Sequence, residues 1–144
     1  MRLMRGRILL GDDDVVLQRA VTRIAAARGY EVISASTGRE VLTMASALRP
    51  ELIVLDISFP DADGRDLLRK LKEAPLTSQI PVLVWSATEN DSNRRIALSL
   101  GAEDFVEKGT ALALLPRIAR ILLRLRQDQD LIDLADSEQA LAIR

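Results

Sequence analysis

After Glu51 the chain runs Leu52-Ile53-Val54-Leu55, four apolar residues too few for a helix and closed by the carboxylate of Asp56. A short run without polar alternation predicts a strand buried on both faces, as in a parallel sheet covered by helices. Asp56 then falls at the C-terminal tip of that strand, the edge of an open α/β sheet where loops converge and ligands collect. Two other segments end in the same manner. Ile8-Leu9-Leu10-Gly11 runs into Asp12-Asp13-Asp14, and Val82-Leu83-Val84-Trp85 runs into Ser86. If these strands are parallel neighbours, their ends gather Asp56, the triple aspartate and Ser86 at one edge of one sheet.

The remaining sequence alternates in a way that fits. Asp14 is placed to cap a helix with Leu17, Ala20, Val21 and Ile24 on one stripe, and Gly29 to end it. Tyr30 to Ser34 reads as a short strand. Thr37-Gly38 opens a second helix in which Val41, Ala45 and Leu48 share a face, with Pro50 after its end. Ile57 to Asp63 is a loop carrying Pro60. Gly64 and Asp66 lead into a third helix with Leu67, Leu68 and Leu71 on one side. A fourth helix, about Asp91 to Leu100, is weakly amphipathic, aligning only Ile96, Ala97 and Leu100 behind Asn90, Asp91, Ser92 and Asn93. Gly101 closes it, Ala102 to Lys108 forms a fifth strand, and Leu115, Ile118, Leu122 and Leu125 stripe a fifth helix that starts close to Pro116. Five strand–helix units with short links predict βαβ connections and a parallel sheet with helices on both faces.

From Gln127 the alternation stops. Asp128, Asp130, Asp133 and Asp136 interleave with Leu131, Ile132, Leu134, Ala135, Leu141 and Ile143, too apolar for a plain linker and too short for a domain. The expected organisation is therefore one domain over residues 1–126 and an extension over 127–144. That extension could lengthen the fifth helix, form its own helix from Ser137, or bridge to another chain.

Inventory narrows the chemistry. The chain has no histidine, which excludes a Ser-His-Asp triad, a histidine metal site and a self-supplied phosphohistidine. It has no cysteine, hence no disulfide and no thiolate chemistry. A formal net charge of −1 gives no global field for nucleic acid or an anionic membrane, so no direct nucleic-acid or membrane contact is expected. The basic start, Met1 to Arg7, is not followed by the apolar core of a signal peptide, and no stretch nears the roughly 18 apolar residues of a membrane span. A cytoplasmic location is expected.

From about Arg7 to Arg126 the chain resembles the receiver domain of bacterial two-component response regulators, similar to CheY-like proteins. The resemblance rests on Asp12-Asp13, Leu55-Asp56, Pro60 with Asp63-Gly64, Ser86-Ala87, Gly101-Ala102, Phe105 and Lys108, in that order at the ends of the expected elements. It implies a doubly wound, five-stranded sheet in the order 2-1-3-4-5 with five helices. It also implies that Asp56 accepts a phosphoryl group from the phosphohistidine of a sensor histidine kinase or a histidine phosphotransfer protein. Mg²⁺ would be ligated by Asp13, Asp56 and the backbone carbonyl of Ser58, with Asp12 acting through a metal-bound water. Ser86 and Lys108 look like the groups that contact the phosphoryl oxygens. Phe105 would fill the space that Ser86 vacates, changing the face built from the fourth helix, fifth strand and fifth helix. That face or the tail is also the expected dimer surface. Ser58 and Thr88 occupy positions that in the family tune the phosphoryl lifetime, and Gly109 stands where the family usually has a proline.

The residues themselves support such chemistry. Clustered carboxylates repel one another and recruit a hard cation, and an all-oxygen set suits Mg²⁺. Taken singly, Asp14 is a helix cap, Lys108 a surface lysine and Phe105 a core residue; only the company they keep assigns them more. Two other readings compete: a receiver that keeps the fold but works as an interaction module without phosphorylation, and a true enzyme, an Mg²⁺-dependent aspartyl-phosphate phosphatase of the haloacid-dehalogenase type, which also uses a strand-end Asp. The phosphatase needs a second Asp two residues after the nucleophile, where this chain has Ser58. A flavodoxin would need a hydroxyl- and glycine-rich phosphate loop where this chain has three aspartates.

Overall fold

The computed structural model describes residues 5–87 and 91–142. Thr88 and Asn90 lie outside the described residues. The elements follow in strict alternation: β1 (Gly6–Gly11), α1 (Val15–Ala26), β2 (Tyr30–Ala35), α2 (Gly38–Leu48), β3 (Leu52–Leu55), α3 (Gly64–Glu73), β4 (Val82–Ser86), α4 (Asp91–Ser99), β5 (Asp104–Glu107) and, after a 3₁₀ turn at Ala111–Ala113, α5 (Leu114–Ala142). All strand pairs are parallel and the sheet order is β2-β1-β3-β4-β5, the 2-1-3-4-5 arrangement that the resemblance implies.

The apolar runs fill both faces because successive strand residues point to opposite sides. Leu9, Ile53, Leu55, Val82, Val84 and Phe105 belong to one core, closed by Val41 and Ala45 of α2, Leu67, Leu68 and Leu71 of α3 and Ala97 of α4. Ile8, Leu10, Leu52, Val54, Leu83 and Trp85 belong to the other, closed by Val21 and Ala25 of α1 and Leu114, Leu115, Ile118, Ile121 and Leu122 of α5. Burial of each large side chain is worth about 1.5–3 kcal/mol, so two cores on one sheet leave its strand ends firmly placed.

Local signals set the element ends. The Asp14 carboxylate accepts from the N–H groups of Val16 and Leu17, and Thr37 Oγ1 accepts from Glu40 N–H, capping α1 and α2. Gly64 opens α3 where a Cβ would stand 2.2 Å from Ile57 Cα; only a hydrogen fits, and the loop after β3 folds back on itself there. Pro116 lies in the first turn of α5, where its missing N–H has no intrahelical partner to lose. Three elements depart from the expected detail. The inward stripe of α1 is Gln18, Val21 and Ala25, with Leu17 and Ile24 half-buried. Leu48 is 37% exposed at the end of α2. β5 is four residues, although hydrogen bonds from Glu103 N–H to Val82 O and from Lys108 N–H to Ser86 O extend its tie to β4 at both ends. Of the alternatives for the C-terminal stretch, α5 simply continues into it as far as Ala142, 29 residues in one helix, with Ile143 and Arg144 outside the described residues.

Candidate functional site

The strands β1, β3, β4 and β5 end on the same side of the sheet, and their registers decide which side chains meet. Gly11 is level with Leu55, and Asp56 N–H donates to Gly11 O at 2.8 Å, so Asp12 and Asp56 leave adjacent strands side by side. Asp12 N–H donates to Ala35 O of β2 at 3.0 Å. Ser86 is level with Glu107, and Lys108 follows directly.

One carboxylate oxygen each from Asp12, Asp13 and Asp56 lie within 4.8 Å of one another. Asp12 and Asp56 are buried, whereas Asp13 is exposed at the rim. Lys108 Nζ sits between the two buried groups, 2.7 Å from Asp12 Oδ2 and 2.9 Å from Asp56 Oδ2. The contact with Asp56 is a hydrogen bond. At Asp12 Oδ2 the ammonium is close but not aligned as a donor, so this fully buried oxygen pairs by charge and has no directed hydrogen bond among the described residues. The other oxygens are held by backbone: Asp12 Oδ1 accepts from Asp14 N–H at 2.9 Å and Asp56 Oδ1 from Ser58 N–H at 3.0 Å. Burial pulls the Lys108 ammonium toward neutrality, but its close contacts with the Asp12 and Asp56 carboxylates outweigh that and hold its pKa above the ordinary lysine value. Three carboxylates facing one ammonium leave an excess of negative charge, and an under-satisfied buried oxygen beside an exposed carboxylate is a fit for a hard divalent cation.

Ser86 is fully buried at the β4 tip. Beside it a surface depression is lined by Ile57, Ser58, Asp63, Arg65, Ser86 and Asn93. Ser58 is exposed and forms a bridge with Asp63 across the loop. Phe105 is fully buried one strand over, its ring 5.7 Å from the Arg94 guanidinium of α4. The structure thus brings Asp12, Asp13, Asp56, Ser86 and Lys108 to one edge and sets Phe105 in the core behind them. Gly109 follows Lys108 with open space where a Cβ would stand, and every described peptide bond is trans.

Three supporting residues escape the sequence reading. Gln18 Nε2 donates to Asp12 O and to Ser36 Oγ at 3.0 Å, fixing the backbone that aims the first carboxylate. A polar residue spaced i, i+3, i+7 with Val21 and Ala25 is the signal that could have revealed it. Arg65 Nη2 reaches Asn93 Oδ1 at 3.4 Å, spanning the depression from α3 to α4. The Trp85 ring lies 5.3 Å from Lys108 Nζ and backs the ammonium.

Comparison with known proteins agrees with this geometry. Residues 8–120 match the family described as response regulator receiver domain. The chain is 36% identical over 118 residues to the response regulator MprA of Mycolicibacterium vanbaalenii, covering 82% of this chain and 50% of that protein. It is 36% identical over 135 residues to the MprA of Mycobacterium ulcerans, covering 93% and 56%. The chain therefore spans about half the length of the curated relatives it matches. Among solved structures, a response regulator from Desulfuromonas acetoxidans superposes with a TM-score of 0.75 at 30% identity, covering 83% of this chain and 98% of that one. A CheY-like receiver domain protein from Methanospirillum hungatei gives 0.79 at 27%, covering 88% and 99%. Among the described residues no helix is long and apolar enough to cross a membrane.

Proposed function

Because this chain belongs to the response regulator receiver family, a signalling module of two-component systems rather than a classical enzyme, we propose that it is a phosphoacceptor whose acceptor is Asp56. The observation that carries the reading is the Asp12–Lys108–Asp56 arrangement, with the ammonium 2.7 and 2.9 Å from two buried carboxylates at the strand ends. A carboxylate oxygen of Asp56 attacks the phosphorus of a partner's phosphohistidine, forming a P–O bond as the P–N bond breaks and the imidazole leaves. Lys108 stands close enough to hold its positive charge on the arriving phosphoryl oxygens, and Ser86 can donate its hydroxyl to one of them.

Asp12, Asp13, Asp56 and the backbone carbonyl of Ser58 would hold Mg²⁺, which when bound offsets the negative charge of the transferring group. Drawing Ser86 toward the phosphoryl group moves the β4 tip. Phe105 occupies the space behind it, and because its ring is faced by Arg94, α4 shifts along with it. The face of α4, β5 and α5 is then the output surface, its affinity for a partner changed by a population shift of a few kcal/mol. Phe105 carries no hydroxyl, so the switch is one of packing alone.

The receiver occupies residues 1–126 and the remainder is an extension. The upstream partner is a sensor histidine kinase or a histidine phosphotransfer protein, and the setting is cytoplasmic. The direct test is intact-mass analysis after incubation with acetyl phosphate, with and without Mg²⁺, on wild type and Asp56→Asn. A single phosphoryl gain that requires Mg²⁺ and is lost in Asp56→Asn is expected. A wild type left unmodified by both acetyl phosphate and a phosphorylated kinase, while a control receiver is modified, would instead favour an interaction module that works without phosphorylation.

A further inference from the structure

α5 carries a second apolar stripe, on the side away from the sheet. Leu123, Gln127, Leu131 and Leu134 recur at intervals of four, four and three, one helix face. Its three leucines are 59%, 66% and 59% exposed, and every residue from Arg126 to Gln139 is exposed. The stripe begins where α5 still lies on the receiver body and runs on where the helix has left it. An isolated helix with so much leucine in water is unstable against any apolar partner.

The charges along the same helix identify that partner. From Leu114 to Arg126 the only charged residues are Arg117, Arg120, Arg124 and Arg126; from Gln127 to Ala142 they are Asp128, Asp130, Asp133, Asp136 and Glu138. The sign therefore reverses once, at Gln127. This order does nothing for the helix's own dipole, which favours acids near the N-terminus and bases near the C-terminus. It does make the helix complementary to itself read backwards.

We propose that two copies of this chain pair through α5 in antiparallel orientation, centred on Gln127. In that register Leu123 faces the second copy's Leu131, Arg126 is level with its Asp128, and Arg124 with its Asp130. Arg120 stands opposite its Leu134, next to its Asp133. A parallel pair would instead stack five carboxylates against five with no cation among them, which costs stability at every turn. Arg124 already pairs with Glu103, and Arg126 with Glu51 at 3.6 Å, yet both side chains remain more than half exposed. A guanidinium has five donors and can take a second carboxylate. Arg120 has no side-chain partner among the described residues and is exposed. The pairing seats each extension along the outer side of the other receiver's α5, over Ala119 and Leu123. It is independent of phosphorylation and of the identity of the phosphoacceptor.

The chain has no cysteine, so single cysteines report orientation cleanly. Leu123→Cys and Leu131→Cys variants of the 144-residue chain, both altered at exposed positions, are oxidised mildly alone and as a mixture, and solution mass is measured for the wild type. The expected result is a dimeric wild type and a covalent dimer at least tenfold more abundant in the mixture than with either chain alone. Leu131→Glu combined with Leu134→Glu should shift the mass to that of a monomer while circular dichroism of the receiver is retained. Covalent dimers formed equally well by each single chain indicate a parallel pair and overturn the proposal. A wild type that stays monomeric, or a dimer that survives the double glutamate change, overturns it as well.

Discussion

Lys108 is the residue on which the site's charge balance turns. Replacing it with Met leaves Asp12 and Asp56 facing each other without a cation, a loss of about 1–3 kcal/mol for a buried charged group deprived of its partner. The pH dependence has a definite sign. The folded-state pKa of Lys108 is raised above its ordinary 10.5, so its stabilising contribution is fully present below that value and is lost as pH climbs through the folded-state pKa. Urea unfolding in the presence of chelator should show Lys108→Met less stable than wild type near pH 7. The gap should narrow above about pH 10.5; a gap that stays constant to higher pH would mean the loss is one of packing over Trp85 instead. The sequence made Lys108 visible only as one of a set. Its contact with Asp56 spans 52 positions along the chain, and such separations are resolved by sheet register, not by local pattern.

At the level of elements, the loop between β3 and α3 is the part most tightly specified by contact. Gly64 has Ile57 Cα and O within 2.4 Å of where a Cβ would be, and both are backbone, which cannot swing aside. Gly64→Ala should cost about 1–3 kcal/mol or more, as overpacking does, read as a lower urea midpoint with an unchanged slope; a midpoint equal to wild type would show that the loop shifts freely. The same loop docks on the start of α2, where Asp61 accepts from Gly38 N–H at 2.8 Å and from Arg39 N–H at 3.3 Å. Those bonds, Gly38's first, hold the Asp61 pKa below the usual carboxylate value. This cap was not legible, because a helix cap is sought just before the helix and Asp61 lies 23 positions after Gly38, beyond the helix's other end. Thr37 and Asp14, which cap from the adjacent position, were legible. So were the strands, since unbroken apolar runs have one reading when turns bound them. On α1 the expected Leu17, Val21 and Ile24 do pack on the core, but the place of Gln18 in that face was missed, because it is buried by its bonds to Asp12 O and Ser36 and not by its chemistry.

For the whole molecule, the division between receiver and extension makes a prediction of its own. A chain ending at Arg126 keeps both cores intact, so it should retain the cooperative thermal unfolding of the full chain and the same Mg²⁺-dependent phosphoryl gain, while losing self-association. Differential scanning calorimetry and sedimentation velocity check the two halves of that statement, and a truncated chain that fails to unfold cooperatively would show the extension to be part of the domain. Trp85 ties the site to this far end of the molecule. Its ring backs Lys108 and packs in the same core as Leu114 and Ile118, in the first turns of α5. A single unbroken helix of 29 residues is about 43 Å long. It works as a lever whose short arm rests on the sheet: a tilt of about 5° at the first turn sweeps the last through roughly 4 Å, so a displacement too small to break any contact in the core becomes one large enough to be felt by whatever lies against the tip.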